Sequence, residues 1–284
     1  MDLWKALILG IIQGLTEFLP ISSTAHLTLA GKLMQLIDSN HPEQWTAFIA
    51  VMQLGTLLAV LIYFARDLFD ITREFIFDNF AYLRQREKPL SANARLGWYI
   101  IIGSLPIVII GLSLKKLIEG TFTKNLYVIA GSLILLALLL SIAEIVGRRT
   151  RTIEQLTLFD SLVVGLAQVL ALIPGSSRSG TTMTAALFTG LTRTTAARFS
   201  FLLSIPAIGG SGVYEFLKTF RDLTPEMSMA LVVSTLASAV VGYLSIAFLI
   251  RYLQTHTTYI FVGYRIVLGV TIFILLLIGK VMPY

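Results

Sequence analysis

The sequence contains no cysteine and few charged residues. Without a thiol among its 284 residues, disulfide bonds, thiolate metal sites and cysteine nucleophiles are excluded. Only 13% of the residues are charged, whereas 56% are hydrophobic, and the mean hydropathy is +0.81. This composition indicates an integral membrane protein rather than a soluble domain.

The basic residues give a net charge of +6, but they are spread over short connections between apolar segments. They form no cluster interleaved with aromatic residues, which is the pattern of a nucleic-acid groove. We therefore expect membrane lipids, and no nucleic acid, among the partners of the protein.

Six apolar segments are each about as long as a bilayer-spanning helix, which needs ~20 residues. They cover residues 44–65, 96–114, 126–145, 199–217, 227–250 and 257–279. Residues 66–95 form the only long charged segment, which we predict to be an interfacial, partly helical loop. Glu215 and Arg265 lie within spans, and we expect them to pair structurally or to snorkel to an interface.

The most informative stretch is residues 10–31, GIIQGLTEFLPISSTAHLTLAG, which is apolar in character but carries a carboxylate and an imidazole. An ionisable group at membrane depth is costly, so Glu17 and His26 are candidates for a functional site. Gln13 shares a helix face with Glu17 four residues later, as Ser23 does with His26 three residues later.

A second stretch, residues 165–190, resembles the first, with an apolar run, a proline and then small hydroxylated residues. Aligning the prolines Pro20 and Pro174 pairs Ser22 with Ser176 and Ser23 with Ser177. The chain therefore divides into two related halves, about 1–150 and 151–284, within a single membrane domain covering residues 1–284.

Each proline predicts a break between two short helices that enter the membrane and return to the same side. These re-entrant pairs cover residues 3–19 with 21–36, and 158–173 with 177–191. Three spans follow each pair, so the second half begins on the opposite side. The predicted fold is an all-α polytopic membrane protein with two inverted-topology repeats, each a re-entrant helix pair plus three transmembrane helices. The excess of lysine and arginine near residues 66–95 and 148–151 places that side in the cytoplasm.

The second motif suits an anion. Ser176 or Ser177 is a good N-cap, so we predict a helix that starts inside the membrane with free N–H groups and a positive dipole end. Arg178 adds a planar guanidinium that matches phosphate oxygens. Further hydroxyl donors lie at Ser179 and Thr182. Phosphate is the predicted ligand; in the alternative, the guanidinium is only a structural partner of Glu17 or Asp160.

The first motif suits a metal ion and a nucleophile. If the two breaks meet near the membrane midplane, Glu17 and Gln13 would lie near that phosphate, where a hard divalent cation, Mg²⁺ or Ca²⁺, would be stable. Ser23 is a candidate nucleophile and His26 a candidate base or acid. Phosphoryl transfer depends mainly on positioning and charge neutralisation, which these residue types supply.

These motifs resemble those of the undecaprenyl-pyrophosphate phosphatases of the bacitracin-resistance type. GLTEFLPISSTAHL and PGSSRSGTT look like the two signature regions of that family, and the span carrying Gln53-Leu-Gly-Thr also matches. The resemblance covers essentially the whole chain. It implies hydrolysis of a polyprenyl pyrophosphate lipid carrier to its monophosphate, which recycles the carrier for cell-wall synthesis. It also implies a divalent metal, the bacterial inner membrane and an active site facing the periplasm.

The resemblance also implies roles for individual residues. The positions that match functional residues of the family are Glu17, Ser23, His26, Ser177, Arg178 and Thr182. We expect further substrate contacts from Ser22, Thr24, Gln53, Ser176, Ser179 and Gly180. The chain departs from the family at Gln13, where many members carry a second glutamate. This departure leaves Glu17 as the only carboxylate in the motif and weakens any scheme with two carboxylates on the metal.

Two other classes of membrane protein share some of these features. Inverted repeats, broken helices and an anion site are also typical of a secondary transporter, here one that would move a polyprenyl phosphate or another anion. The type-2 phosphatidic acid phosphatases need a histidine nucleophile after their Ser-Arg motif, and here none occurs between Arg178 and His256. The sequence leaves the oligomeric state open, a homodimer included.

Overall fold

The computed structural model describes residues 1–38, 40–84, 89–219 and 224–283. Its regular structure consists of helices joined by short turns. In these ranges the only β-type pairing is the isolated bridge between Arg151 and Leu191. The α-helices are α1 Leu3–Phe18, α2 Ser23–Leu33, α3 Pro42–Tyr63, α4 Ala65–Arg84, α5 Ala92–Ser113, α6 Lys115–Glu119, α7 Leu126–Val146, α8 Leu158–Val169, α9 Arg178–Phe188, α10 Arg193–Thr219, α11 Pro225–Tyr252 and α12 Tyr259–Leu277.

Six of the described helices are long and apolar enough to cross a membrane, namely α3, α5, α7, α10, α11 and α12. They confirm the six predicted spans and the all-helical, multi-pass class. Helix α10 starts at Arg193, earlier than the apolar run that predicted it, because Thr192 Oγ1 caps it by accepting a hydrogen bond from the N–H of Thr195 (3.2 Å). Hydropathy alone does not detect this polar first turn.

The charged segment at residues 66–95 is more helical than predicted. Helix α4 covers most of it, whereas residues 85–88 lie outside the described part of the chain. It runs beside the start of α5, where Trp98 Nε1 donates to Asn79 Oδ1 (3.1 Å). Phe69 and Phe77 are exposed on α4, which is the pattern of a helix lying at a membrane interface.

The chain is broken at Pro20, between α1 and α2, and at Pro174, between α8 and α9. Each of these proline breaks is followed by a serine cap. Ser22 Oγ accepts from the N–H of Ala25 (3.3 Å) at the start of α2, and Ser177 Oγ accepts from the N–H of Gly180 (3.2 Å) at the start of α9. Both serines have positive φ, +75° and +67°. The structural counterpart of Ser22 is therefore Ser177, so the proline-based pairing with Ser176 was wrong by one position. Both motifs read Pro-x-Ser-Ser, but α9 begins one position later after its proline than α2 does, so its cap is the second serine.

A buried carboxylate joins several helix ends. Glu144, in the last turn of α7, accepts hydrogen bonds from Arg149 Nη1 (2.9 Å), Arg193 Nε (2.6 Å) and Thr258 Oγ1 (2.8 Å). Because Arg193 begins α10 and Thr258 precedes α12, this network holds three spans and the connection between the two halves together.

Helix α11 packs closely on α1 and α3, and one glycine shows how closely. A Cβ atom added at Gly55 of α3 would lie 2.1 Å from Thr235 O and 2.1 Å from Ser238 Oγ, both on α11. Small residues at helix contacts let backbones approach in a membrane, where packing drives association. At Gly131 of α7, by contrast, such a Cβ would have no atom within 4 Å among the described residues outside its own helix turn.

We predict that Gly55→Ala destabilises the protein by about 1–3 kcal/mol, because the methyl group overpacks the contact between α3 and α11. Gly131→Ala, the matched control, should be neutral or stabilising by up to ~1 kcal/mol, since alanine is the better helix former. Thermal unfolding of both purified variants in one detergent measures the difference. Equal melting temperatures for the two variants would contradict this account of the interface.

Candidate active site

The two sequence motifs meet at one carboxylate. Glu17, in the last turn of α1, has 5% of its surface exposed. Its Oε2 accepts from Gln13 Nε2 (2.9 Å) and Ser23 Oγ (2.7 Å), and its Oε1 accepts from Arg178 Nη2 (2.9 Å). Gln13, four residues earlier, lies one helix turn away, as predicted. The proline break after α1 brings Ser23 back beside the carboxylate.

Arg178 is held across the interface between the two breaks. It is the first residue of α9, and its side chain is 11% exposed. The alternative pairing with Asp160 does not occur, because Asp160 binds Arg151 instead (2.6 Å). Next to it, Ser179 Oγ donates to Leu19 O (3.1 Å), a carbonyl of the first break. The buried pair of Glu17 and Arg178 is therefore held by contacts from both breaks. Together with Gln13, Ser23 and Ser179 it forms the Glu17–Arg178 cluster.

Three buried polar atoms, in this cluster or beside it in sequence, have no hydrogen-bond partner within the described residues. They are Arg178 Nη1, which is a donor, Gln13 Oε1, which is an acceptor, and the hydroxyl of Ser176. Buried polar groups are normally paired, so each unpaired group asks for an explanation. An anion would satisfy the guanidinium, and a cation would satisfy the amide oxygen. The N-terminus of α9, at the same place, adds N–H groups and a positive dipole end.

The described residues contain no group of three or more histidine, aspartate or glutamate side chains suited to a metal ion. The candidate ligands are one carboxylate, Glu17, and the unpaired Oε1 of Gln13. This set is small but consists of hard oxygen donors. It fits a cation such as Mg²⁺, which keeps several waters and substrate phosphates in its shell.

His26 lies one turn into α2 and bonds to an aromatic residue that the sequence did not point to. Its Nδ1 is 2.7 Å from Ser22 O, and its Nε2 is 2.6 Å from the hydroxyl of Tyr264 on α12. A carbonyl oxygen only accepts, so Nδ1 carries a proton, and in the neutral ring Nε2 accepts from Tyr264. The two rings are also stacked, with centroids 5.6 Å apart. Ser23 donates to Glu17 rather than to His26.

The remaining predicted residues occupy different positions relative to the cluster. Thr182 is buried on α9, with its Oγ1 2.6 Å from Ser200 Oγ, and Ser177 Oγ is 3.2 Å from Ser179 Oγ. Thr24 is half-buried in the first turn of α2. Gln53 lies half-buried on α3, and within the described chain its side chain makes no hydrogen bond to the cluster.

Two functional candidates on α12 were not among the predicted site residues. Tyr264 has no distinguishing feature in an apolar span, so nothing in the sequence connects it with His26. Arg265 was expected to be a structural partner or to snorkel, but it is fully buried, so snorkelling is wrong. The sequence did contain a signal for Arg265, because a charged residue in the middle of a membrane span is a candidate for a functional site.

Comparison with known proteins gives consistent matches along the chain. The sequence model of the family described as "Bacitracin resistance protein BacA" matches residues 6–271. A protein of Syntrophobacter fumaroxidans named undecaprenyl-diphosphatase is 57% identical over 269 residues, which cover 95% of each chain. Proteins of the same name from Chloroherpeton thalassium and Mycobacterium ulcerans are 49% and 45% identical, each over 99% of both chains.

Proposed function

Since this chain belongs to the bacitracin resistance protein BacA family, we propose that the Glu17–Arg178 cluster is the active site of a membrane undecaprenyl-diphosphatase. The enzyme is a hydrolase that converts undecaprenyl diphosphate to undecaprenyl phosphate and inorganic phosphate, and so recycles the lipid carrier. One observation supports this placement above the others: among the described residues, Arg178 Nη1 is buried without a partner at a helix N-terminus, beside the only carboxylate of the cluster. The names of the relatives favour hydrolysis over the transport alternative.

Arg178 binds the terminal phosphate of the substrate in this proposal. Its Nη2 is bonded to Glu17, whereas its Nη1 has no partner in the described part of the chain and is the proposed donor to a phosphate oxygen. The N–H groups at the start of α9 and the hydroxyls of Ser177 and Ser179 lie on the same turn. A guanidinium and a helix N-terminus together neutralise charge that develops on the transferring phosphoryl group.

Ser23 is the proposed nucleophile. Its hydroxyl already donates to Glu17 Oε2 (2.7 Å), so the carboxylate can take the proton as Ser23 Oγ attacks phosphorus. The new Ser23–phosphorus bond forms while the bond to the bridging oxygen breaks, and undecaprenyl phosphate leaves with that oxygen. Water then hydrolyses the phosphoserine to inorganic phosphate and restores the serine. Glu17, rather than His26, is therefore the proposed base for Ser23.

His26 is proposed to act on the water or on the leaving group, with its ring oriented by two hydrogen bonds. Ser22 O fixes the proton on Nδ1, and the Tyr264 hydroxyl faces Nε2. A ring held at both nitrogens has a defined tautomer, which is what a general acid or base requires.

A divalent cation, Mg²⁺ or Ca²⁺, is proposed to be held by Glu17 and Gln13 Oε1. When bound, such an ion neutralises charge on the diphosphate oxygens. The single carboxylate implies that most of its remaining ligands are water and substrate oxygens.

The finer topology is also a proposal. We infer that α1 with α2, and α8 with α9, are re-entrant pairs in two inverted repeats. Each of these helices has 16 residues or fewer, less than a span needs. Their packing also matches between the halves, because α1 packs on α11 as α8 packs on α5. With the positive side in the cytoplasm of the bacterial inner membrane, the active site would open to the periplasm.

We predict that Arg178→Ala lowers kcat/KM at least about tenfold, because a charge-assisted phosphate contact contributes ~1.5–3 kcal/mol. Arg178→Lys should also be impaired, since an ammonium cannot bind Glu17 and phosphate with one planar fork. Phosphate release by purified protein in detergent measures both, and Arg148→Ala, an exposed arginine in the loop after α7, is the control. Turnover of either Arg178 variant at the control rate would remove Arg178 from the site.

Chelation should stop turnover, and Mg²⁺ or Ca²⁺ should restore it. Glu17→Gln should raise the metal concentration needed for half-maximal activity or abolish activity, because the only carboxylate is lost. Gln13→Glu should be tolerated and should lower that concentration, since it adds a charged oxygen ligand. Metal titration of the three proteins tests this assignment, and normal hydrolysis by chelator-treated protein would exclude it.

Ser23→Ala should lose nearly all turnover, and the wild-type enzyme should carry a labelled phosphate on Ser23 during a single turnover. Rapid acid quench followed by peptide mapping detects that intermediate. If Ser23→Ala retains activity within about tenfold of wild type, the serine only hydrogen-bonds phosphate, a contact of ~1 kcal/mol, and water is the nucleophile.

A further inference from the structure

Arg265 is a charged side chain that the proposed mechanism does not use. It lies near the middle of α12 and is fully buried. It forms no ion pair with any carboxylate in the described part of the chain. A buried cation without a counter-ion at membrane depth is costly, so its presence calls for a specific role.

Among the described residues the guanidinium donates only to backbone carbonyls, and three of these belong to the two proline breaks. Its Nη1 is 3.4 Å from Pro20 O in the first break. Its Nη2 is 2.9 Å from Ser176 O and 3.4 Å from Gly175 O in the second break. Carbonyls at a proline break have lost their helical donors, so each needs another partner. One side chain therefore supplies donors to both breaks at once.

The guanidinium is itself fixed on the side of α7. Its Nε donates to Leu133 O (3.2 Å) and its Nη2 also reaches Ser132 O (3.4 Å). Ser132 Oγ donates in turn to Pro174 O, the first carbonyl of the second break. The breaks are thus attached to a pair of packed spans, α7 and α12, that lie outside both sequence motifs.

Arg265 also lies directly against the first turn of α9. A Cβ atom added at Gly180 would be 2.6 Å from Arg265 Nη1. Its positive charge therefore lies just behind the helix N-terminus that is proposed to bind phosphate. An anionic diphosphate would supply the counter-charge that no described carboxylate provides.

We propose that Arg265 is a positioning residue for the hydrolysis. It holds the two breaks in register, so that Glu17 and Ser23 of the first break stay beside Arg178 of the second, where the diphosphate binds. This inference rests on the proposed assignment of that site. A lysine keeps the charge at this position but not the planar fork that reaches three separate carbonyls of the breaks.

Three variants test the proposal in a phosphate-release assay with purified protein. Arg265→Lys keeps the charge, and Arg265→Gln keeps part of the hydrogen bonding without the charge. Glu144→Gln is the structural control, because Glu144 is also a buried, paired charge. It lies about 18 Å farther along α7 than Ser132, which contacts Arg265. For each, kcat, KM, the inhibition constant of inorganic phosphate and the melting temperature are measured on the monodisperse fraction.

We expect Arg265→Lys to lower kcat about a hundredfold with little change in KM, because a small misplacement of reacting groups has that effect. Arg265→Gln should in addition weaken inhibition by inorganic phosphate. Glu144→Gln should lower the melting temperature but leave kcat and KM of the folded enzyme unchanged. The proposal is overturned if Arg265→Lys turns over like wild type, or if its loss of activity only follows a loss of folded protein, as in the control.

A second variant, Gly180→Ala, tests the proposal without replacing Arg265, and wild-type kcat in this variant would contradict the proposal even if Arg265 variants do not fold. Gly180→Ala leaves Arg265 in place but displaces its guanidinium, so it should also lower kcat, and its effect should not add to that of Arg265→Lys. Additive losses would contradict the proposal. Arg178→Lys in the same assay separates failure of the proposed active site from failure of the positioning role. An active Arg178→Lys rejects the proposed site. An inactive Arg178→Lys together with an active Arg265→Lys rejects only the positioning role of Arg265.

Discussion

The contact on which the site depends is the buried pair of Glu17 and Arg178, formed between two proline breaks that are far apart in sequence. Taking both charges out of water is costly, and their attraction offsets that cost only if further hydrogen bonds satisfy them. Glu17 has such bonds, from Gln13 and Ser23. Arg178 donates to the carboxylate through Nη2, and its Nη1 has no partner in the part of the chain that the structure describes. The pair is therefore stable as it stands, yet retains a donor for a third, anionic group.

The surrounding helices serve this pair by satisfying the backbone that the breaks expose. A broken helix inside a membrane leaves carbonyls and N–H groups without partners, and no water is available there. Ser22 and Ser177 cap the N–H groups, whereas Arg265 and Ser132 satisfy carbonyls. The reactive groups can then sit on short helix ends, where dipoles and free N–H groups are available, without loss of order.

Much of this arrangement follows from the sequence, because it rests on local patterns. Long uncharged runs identify the spans, and Pro20 and Pro174 identify the breaks. The convergence of Glu17, Ser23 and Arg178 follows from charges that an apolar segment would otherwise reject.

What sequence reasoning did not find depends on long-range packing or on a single backbone torsion. The partner of His26 is Tyr264, 238 residues away in an ordinary apolar span. The one-residue shift between the two caps cannot be read from the shared Pro-x-Ser-Ser pattern, and it coincides with a positive φ at Gly175 (+87°). Ser23 turned out to face Glu17 instead of His26, since helix spacing gives a shared face but not the direction of each hydroxyl.

The most direct test of the account is an experimental structure of the protein with a methylene diphosphonate analogue of undecaprenyl diphosphate. We predict that the terminal phosphonate lies within hydrogen-bonding distance of Arg178 Nη1, at the N-terminus of α9, with Ser23 Oγ facing its phosphorus. An analogue bound elsewhere, with Ser23, Glu17 and Arg178 still bonded only to one another, would contradict it.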